Sequence, residues 1–510
     1  MLVCSQALAH DASRDGRVAV RGSGVELSYA DLRAGAADVA RASAGWSSHA
    51  DGRSPFVAIL ADWSPQLLCA FLGLASAGWA VGVLDPSWRD EELAGAVAQL
   101  DPCAVLVADG CRGAAGVLAD AGWREIIGTQ PGWTVLGIGA PSGARPAPAA
   151  TPDAPFYVGF TSGSSGRPKA FVRSHGSWWL SFLGLHELCP LSPDGTVLVP
   201  GPLSSSHFLF GALHGLHVGA TVELVTSAES SPERVAGRVR AGDRLAGVYV
   251  VPTILAQLAR GDTAGDGDGD PDYIFCAGAR LEPEVRAAAG ERFPGSRLVE
   301  YYGASELSFV AIQVPGDGTP PGAVGRAFPG VEISVRDDSD RVVRAGETGV
   351  IFARSLLVFD GYRGQAPPSG ARSLADGWWT VGDRGRLDAA GNLFVAGRGS
   401  GLIITGGANV QPEEVEEVVG RYPGVAGCVV VGAPDATWGE VVCAVVVTEP
   451  GRPVTRADLR RHVAGALARY KRPRRYVALA GSLPVGRSGK VDRGRVRELV
   501  IDGRSVSELR

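Results

Sequence analysis

The 510-residue chain has no Cys-x-x-Cys pair, although it carries eight cysteines, at Cys4, Cys69, Cys103, Cys111, Cys189, Cys276, Cys428 and Cys443. Scattered single cysteines argue against a disulfide framework or a zinc site and fit a reducing compartment. Excess charge is missing too: 49 Lys and Arg against 54 Asp and Glu leave a net −5. That balance gives no electrostatic footprint for nucleic acid. There is no Gly-X-Y period, so the 71 glycines do not make collagen; they call for tight turns and loops that approach a ligand. The opening MLVCSQALAHDASRDGR lacks a basic start followed by an apolar run, so no secretory signal is expected. Long apolar runs are scarce. Leu67 to Leu84 is uncharged for 18 residues, the lower limit for a membrane span. Ser76, Ala77 and Gly78 divide it into a buried helix and a short buried strand, as in a parallel α/β core. A cytoplasmic protein with no membrane span is expected.

Apolar residues make up 45% and charged residues 20%, which excludes disorder as the main state, and the length exceeds what one core organises. Strand-like runs at 55–61, 103–108, 195–201, 220–226 and 247–252 alternate with helical patterns at 90–100 and 232–242. That alternation predicts α/β architecture with largely parallel sheets flanked by helices. The Pro/Ala-rich stretch 140–153 reads as a surface linker, and the acidic glycine-rich stretch 261–272 as a solvated turn. From about Leu356 short strands and turns suggest a β-barrel-like subregion. After Gly399 a compact α+β pattern begins, with helices over 410–422 and 455–470, the second opening on a Thr cap with Asp458 three residues later. The expected division is a large N-terminal domain, residues 1–399, and a small α+β C-terminal domain, residues 400–510. No internal repeat is seen.

The segment FTSGSSGRPK, 160–169, follows the apolar strand FYVGF. Thr161, Ser162, Ser164 and Ser165 offer hydroxyls, Gly163 and Gly166 let backbone N–H groups come close, and Lys169 adds positive charge. This suits a polyphosphate, though a Ser/Gly loop by itself is also an ordinary turn. It is not a Walker loop, because GxxxxGK[ST] is absent.

As a string, TSGSSGRPKA resembles the phosphate-loop signature of the adenylate-forming superfamily, which includes acyl-CoA synthetases, peptide-synthetase adenylation domains and luciferases. Other signatures follow in order: YYGASE (301–306), GWWTVGDRGRLDAAGNLFVAGR (377–398), LIITGGANVQPEEVE (402–416) and LPVGRSGKVDR (483–493). LSYADLRAGAADVA (27–40) and AGWAVGVLDPSW (77–88) fit the N-terminal region, so the resemblance spans nearly the whole chain. It implies a two-step reaction: a carboxylate attacks the α-phosphate of ATP to give acyl-AMP and pyrophosphate, then a thiol displaces AMP. It implies ATP, Mg²⁺ and coenzyme A as cofactors, and a mobile C-terminal domain that carries the catalytic lysine.

The resemblance assigns roles residue by residue. Lys490 would bridge carboxylate and α-phosphate, supplying positive charge where two anions meet. Glu306 would orient Mg²⁺ as a hard oxygen ligand. Asp383 would hold the ribose hydroxyls and Arg398 would contact ribose or phosphate. Tyr302 would stack on adenine, followed by Gly303, Ala304 and Ser305 along the nucleotide; Ala277, Gly278 and Ala279 would line the base and acyl pocket, with Tyr301 beside the acid. GPLSSSHFLFG, 201–211, resembles the family's PLFHxxG and puts His207 at the carboxylate gate. None of residues 201–211 is acidic, which counts against an α-amino acid substrate. The Gly406–Gly407 loop would meet the thiol tunnel. Arg173 and His175 fit helix packing as well as a site, and the basic run 469–475 fits either the CoA 3′-phosphate or a solvated face. One departure stands out: where the family reads GRxKD this chain reads GRGSG, so Gly401 occupies the hinge position. The acceptor is expected to be coenzyme A, the alternative being the phosphopantetheine of an acyl carrier protein. A non-enzymatic nucleotide-binding relative is disfavoured by Lys490, Glu306 and Asp383.

Overall fold

The computed structural model describes all residues except 1, 11, 45, 47–55, 112, 114–115, 119–122, 126–131, 138–149, 163–167, 226–231, 240–243, 260–268, 280, 282, 365–370, 399–402, 411, 485–492, 505 and 510. Most of the 140–153 linker and the acidic stretch, the phosphate-loop residues Gly163, Ser164, Ser165 and Gly166, the hinge Gly401 and Lys490 lie outside the described residues.

Two large sheets build the N-terminal part. One has a parallel centre, Val18–Gly22, Thr221–Leu224, Thr196–Val199, Leu245–Val250, Tyr273–Cys276 and Arg297–Ala304, closed by antiparallel edges. The other is centred on Ala104–Ala108, Phe56–Leu60, Ala80–Leu84 and Pro155–Ser162, again parallel. These central strands are buried on both faces, which is why they read as unbroken apolar runs rather than alternating ones. Strands and helices fall where the sequence predicts, for example the helix Asp90–Leu100 and the strand Ala104–Ala108.

The uncharged 67–84 run resolves into the helix Pro65–Ser76 and the strand Ala80–Leu84. Ser64 caps the helix by accepting from the Leu67 N–H, and Gly78 turns the chain at φ +89°. Among the described residues no helix is long and apolar enough to cross a membrane.

Where short strands of a barrel-like subregion are expected from about Leu356, the structure has a six-stranded antiparallel sheet that begins earlier and includes Glu332–Arg336, Gly349–Arg354, Asp383–Leu387 and Leu393–Arg398. A separate C-terminal α+β domain follows. Its long hairpin, Val425–Asp435 with Gly439–Thr448, is covered by the helices Pro412–Gly420 and Arg493–Asp502. Thr455 caps the helix Arg456–Ala466 by accepting from the Asp458 N–H at 3.2 Å, as its sequence signature predicts.

Candidate active site

The parallel strands deliver the candidate residues at their carboxyl ends, where open α/β sheets bind ligands. Thr161 and Ser162 close the strand Pro155–Ser162, and the chain returns antiparallel with Thr161 opposite Lys169. The two strands are paired up to Ser162 and Pro168. Thr161 Oγ1 is buried with no hydrogen-bond partner. Lys169 is also buried, and burial lowers its pKa.

The segment 301–306 gathers most of the site. It ends the strand Arg297–Ala304 and turns tightly into Ser308–Gln313. The turn needs glycine at 303, because a Cβ there would stand 2.0 Å from the Ser308 carbonyl oxygen. Each functional side chain along it meets a partner from a distant element. Tyr301 Oη lies 2.6 Å from His207 Nδ1, at the start of the helix Ser206–Val218. Tyr302 donates its hydroxyl to Asp383 Oδ2 at 2.7 Å, at the head of the strand Asp383–Leu387. Glu306, 5% exposed, accepts from the Tyr362 hydroxyl at 2.8 Å. Its carbonyl accepts from the Phe359 N–H. Ser305 is tied in twice: its Oγ accepts from Ser206 Oγ at 3.2 Å and its carbonyl from Arg173 Nη1 at 3.2 Å.

Electrostatics sort these groups. Burial pushes His207 down to about 4, against a smaller opposing pull from the Val250 backbone, so its imidazole is neutral at pH 7. Its Nε2 is buried without a partner. Burial raises the Tyr301 phenol well above its usual range. Arg173, 3% exposed, is lowered to about 10 by burial while Asp360, Tyr157 and Glu306 pull it back up; it stays cationic beside the 305–306 turn. His175 is different. It stacks on Phe156 at 4.8 Å, neither ring nitrogen has a partner, and burial takes it to about 4. Helix packing accounts for it, and the Ser174 cap accepting from the Ser177 N–H starts that helix.

Gly278 sits just past the strand Tyr273–Cys276 at φ +92°, and a Cβ on it would lie 3.4 Å from Val251 Cγ1. The same valine meets the C-terminal domain. Gly406 and Gly407, at φ +57° and +77°, make the tip of the hairpin Ile403–Thr405/Ala408–Val410, and a Cβ on Gly407 would stand 2.9 Å from Val251 Cγ1. The glycine loop is thus laid against the Gly278 side of the site. Asp383 pairs in register with Arg398, which brings those two positions together on one ladder.

Sequence reasoning missed Tyr362 and Ser206, whose contacts join elements 56 and 99 residues apart. It also grouped Lys471 with a basic face, whereas the structure buries that ammonium. Its neighbours are occupied as well: Arg474 lies over the Trp438 ring at 3.8 Å, and Arg472 donates to the Leu467 and Ala464 carbonyls.

A buried carboxylate on the 301–306 turn and a glycine hairpin brought from a second domain stand at the carboxyl ends of parallel strands, where an α/β enzyme binds its ligand. The model for "AMP-binding enzyme" matches residues 8–363 and that for "AMP-binding enzyme C-terminal domain" matches 414–490; the chain belongs to this adenylate-forming family. It is 34% identical over 484 residues to an uncharacterized acyl-CoA ligase, YhfT, of Bacillus subtilis, covering 95% of each chain. It is 31% identical over 514 residues to the indoleacetate–CoA ligase of Aromatoleum aromaticum, covering 96% of each. The fold is similar to that of the amide bond synthetase McbA of Marinactinospora thermotolerans, with TM-score 0.83 and 28% identity over 98% of this chain and 100% of that one.

Proposed function

We propose that the protein activates a carboxylic acid with ATP and passes the acyl group to the thiol of coenzyme A. The observation that carries this is the 301–306 turn, which offers three side chains to three elements: Tyr301 to His207, Tyr302 to Asp383 and Glu306 to Tyr362. The residues present suit the nucleotide. Thr161 Oγ1 is an orphaned buried hydroxyl at the end of its strand, and Asp383, which accepts from the Tyr302 hydroxyl, is a carboxylate of the kind that would accept from ribose hydroxyls. Bound Mg²⁺ would neutralise phosphate charge, with Glu306 as one hard oxygen ligand.

In this reading the carboxylate oxygen attacks the α-phosphorus, the bond to the pyrophosphate oxygen breaks, and Lys490 offsets the charge of the two meeting anions. With the Tyr301 hydroxyl donating to Nδ1, neutral His207 carries its proton on Nε2, the buried nitrogen without a partner. It then gives the incoming carboxylate one hydrogen bond without adding a full charge. The thiol sulfur next attacks the acyl carbon and AMP leaves, with the Gly406–Gly407 hairpin beside that step. The C-terminal domain, from about residue 400, would swing at Gly401 between the two steps.

The rings packed near His207 bear on the acid class. Tyr249 stacks on Phe275 at 4.7 Å, Tyr301 tilts on Phe309 at 4.5 Å, and His207 lies 5.6 Å from the Tyr249 ring. No residue of 201–211 is acidic. Such apolar surroundings favour an acid with an apolar or aromatic body and no free α-amine, since a buried unpaired ammonium costs several kcal/mol. The test is a carboxylic-acid panel scored for pyrophosphate release, with mass spectrometry of the product formed from coenzyme A, a carrier-protein phosphopantetheine or an amine. Thioester on coenzyme A supports the reading; turnover with the carrier protein alone selects the alternative acceptor, and an amino acid as best substrate overturns the pocket assignment.

A further inference from the structure

The C-terminal domain meets the N-terminal part through a buried ion cluster that neither half-reaction uses. Lys471 closes the short turn Arg469–Lys471 and reaches Glu414 Oε1 at 2.9 Å, on the helix Pro412–Gly420 of its own domain. It also reaches Glu92 Oε1 at 2.7 Å, in the first turn of the N-terminal helix Asp90–Leu100. The three side chains are 2%, 6% and 3% exposed. Arg89 Nε lies 3.7 Å from the other Glu92 oxygen, so the N-terminal carboxylate is held by its own cap before the lysine arrives.

Burying one ammonium between two carboxylates strips water from all three, so the cluster is a poor source of net stability. It is a strong discriminator of position. Any displacement of the C-terminal domain parts Lys471 from Glu92 while both are dry, whereas an apolar contact would tolerate sliding. The cluster also sits next to the hairpin that completes the site: the Ala408–Val410 strand packs against the Arg469–Lys471 turn and against the strand Pro155–Ser162. At the tip of that hairpin Gly407 lies on Val251.

We propose that Glu92, Lys471 and Glu414 are positioning residues that latch the C-terminal domain in the orientation laying the Gly406–Gly407 tip on Val251. The latch favours thiol transfer over adenylation and so sets how the enzyme divides its time between them. This rests on the two-step reading of the function above.

The test uses the full chain and two variants. Glu92→Gln keeps the hydrogen bond that residue 92 accepts from the Arg89 N–H at its own helix start, where Gln serves as well as Glu, and leaves Lys471 paired with Glu414. Lys471→Met removes the cation altogether. Amide hydrogen exchange is followed over 403–410 and 89–93, with the hairpin Val425–Asp435/Gly439–Thr448 as the control for an intact domain. The latch predicts exchange faster by about tenfold or more over both contact segments in each variant, with the control unchanged. Thioester formation from supplied acyl-adenylate then falls by about tenfold relative to pyrophosphate release. Unchanged exchange in both variants overturns the latch, and faster exchange with an unmoved ratio of the two rates overturns its role in partitioning. Faster exchange across the control hairpin in both variants assigns the cluster to folding of the domain and likewise overturns the proposal. If no acid supports pyrophosphate release, the two-step reading fails, and exchange over 403–410 alone decides whether Glu92 and Lys471 hold the domain.

Discussion

The 301–306 turn and the Gly406–Gly407 hairpin both border the same site, yet they are held in opposite ways. The turn is fixed from within the N-terminal part: a backbone contact at Gly303 allows no side chain, and Tyr301, Tyr302 and Glu306 each have a partner already in place. The hairpin reaches its position through a glycine tip on Val251 and a lysine that crosses to Glu92. One arrangement is preorganised, which is what transition-state stabilisation requires. The other is a docking contact, suited to the domain swing proposed above.

The comparison breaks most sharply at Lys490. Lys490→Ala is expected to slow adenylation by roughly 10²–10³, about 3–4 kcal/mol, while thioester formation from supplied acyl-adenylate is largely kept. Separate assays of the two half-reactions check this, and equal losses would remove Lys490 from its role. Next comes Gly303→Ala, which drives a Cβ to 2.0 Å from the Ser308 carbonyl oxygen. A forced shift of that turn should cost roughly 2–4 kcal/mol in urea denaturation and lower both half-reactions together. Gly407→Ala tests the docked side. With φ +77° and Val251 at 2.9 Å, it should weaken thioester formation by about tenfold and leave protein stability within roughly 1 kcal/mol.

Acid sensitivity distinguishes the interior from the docking surface. His175, His207 and His217 are each held at about 4 by burial, below the ordinary value near 6.5. The unfolded chain therefore takes up protons near pH 6.5 that the folded chain refuses until about 4, so stability falls as pH drops through that window. The urea midpoint should decline from pH 7 to pH 5, and a flat profile would deny these buried neutral imidazoles. The smallest effect is expected at Tyr362→Phe. Losing one hydrogen bond to the Glu306 carboxylate is worth roughly 1–2 kcal/mol, seen as a raised Mg²⁺ requirement for pyrophosphate release with little change in kcat at saturating Mg²⁺.

Much of the architecture was legible because its signals are local. The 67–84 run announced its own break at Ser76–Gly78, and Thr455 with Asp458 announced a helix start. Candidate site residues came from strings that resemble family motifs, and the structure brings two pairs of them together, Tyr302 with Asp383 and Tyr301 with His207. Their partners were not legible. Tyr362 carries no motif, and Lys471 looked like one more charge in a basic run. It meets Glu92 from 379 residues away, and no local period encodes such a pairing. Side chains buried by a domain contact read, in sequence, like side chains in water.

The proposed acid activation stands or falls on acid-dependent exchange of labelled pyrophosphate into ATP by the 510-residue chain without any thiol. It predicts exchange that requires Mg²⁺ and an acid with an apolar or aromatic body, and that Asp383→Ala lowers on the order of 10²-fold by removing the ribose anchor. Exchange that is independent of acid, absent across the whole panel, or unchanged in Asp383→Ala would contradict it.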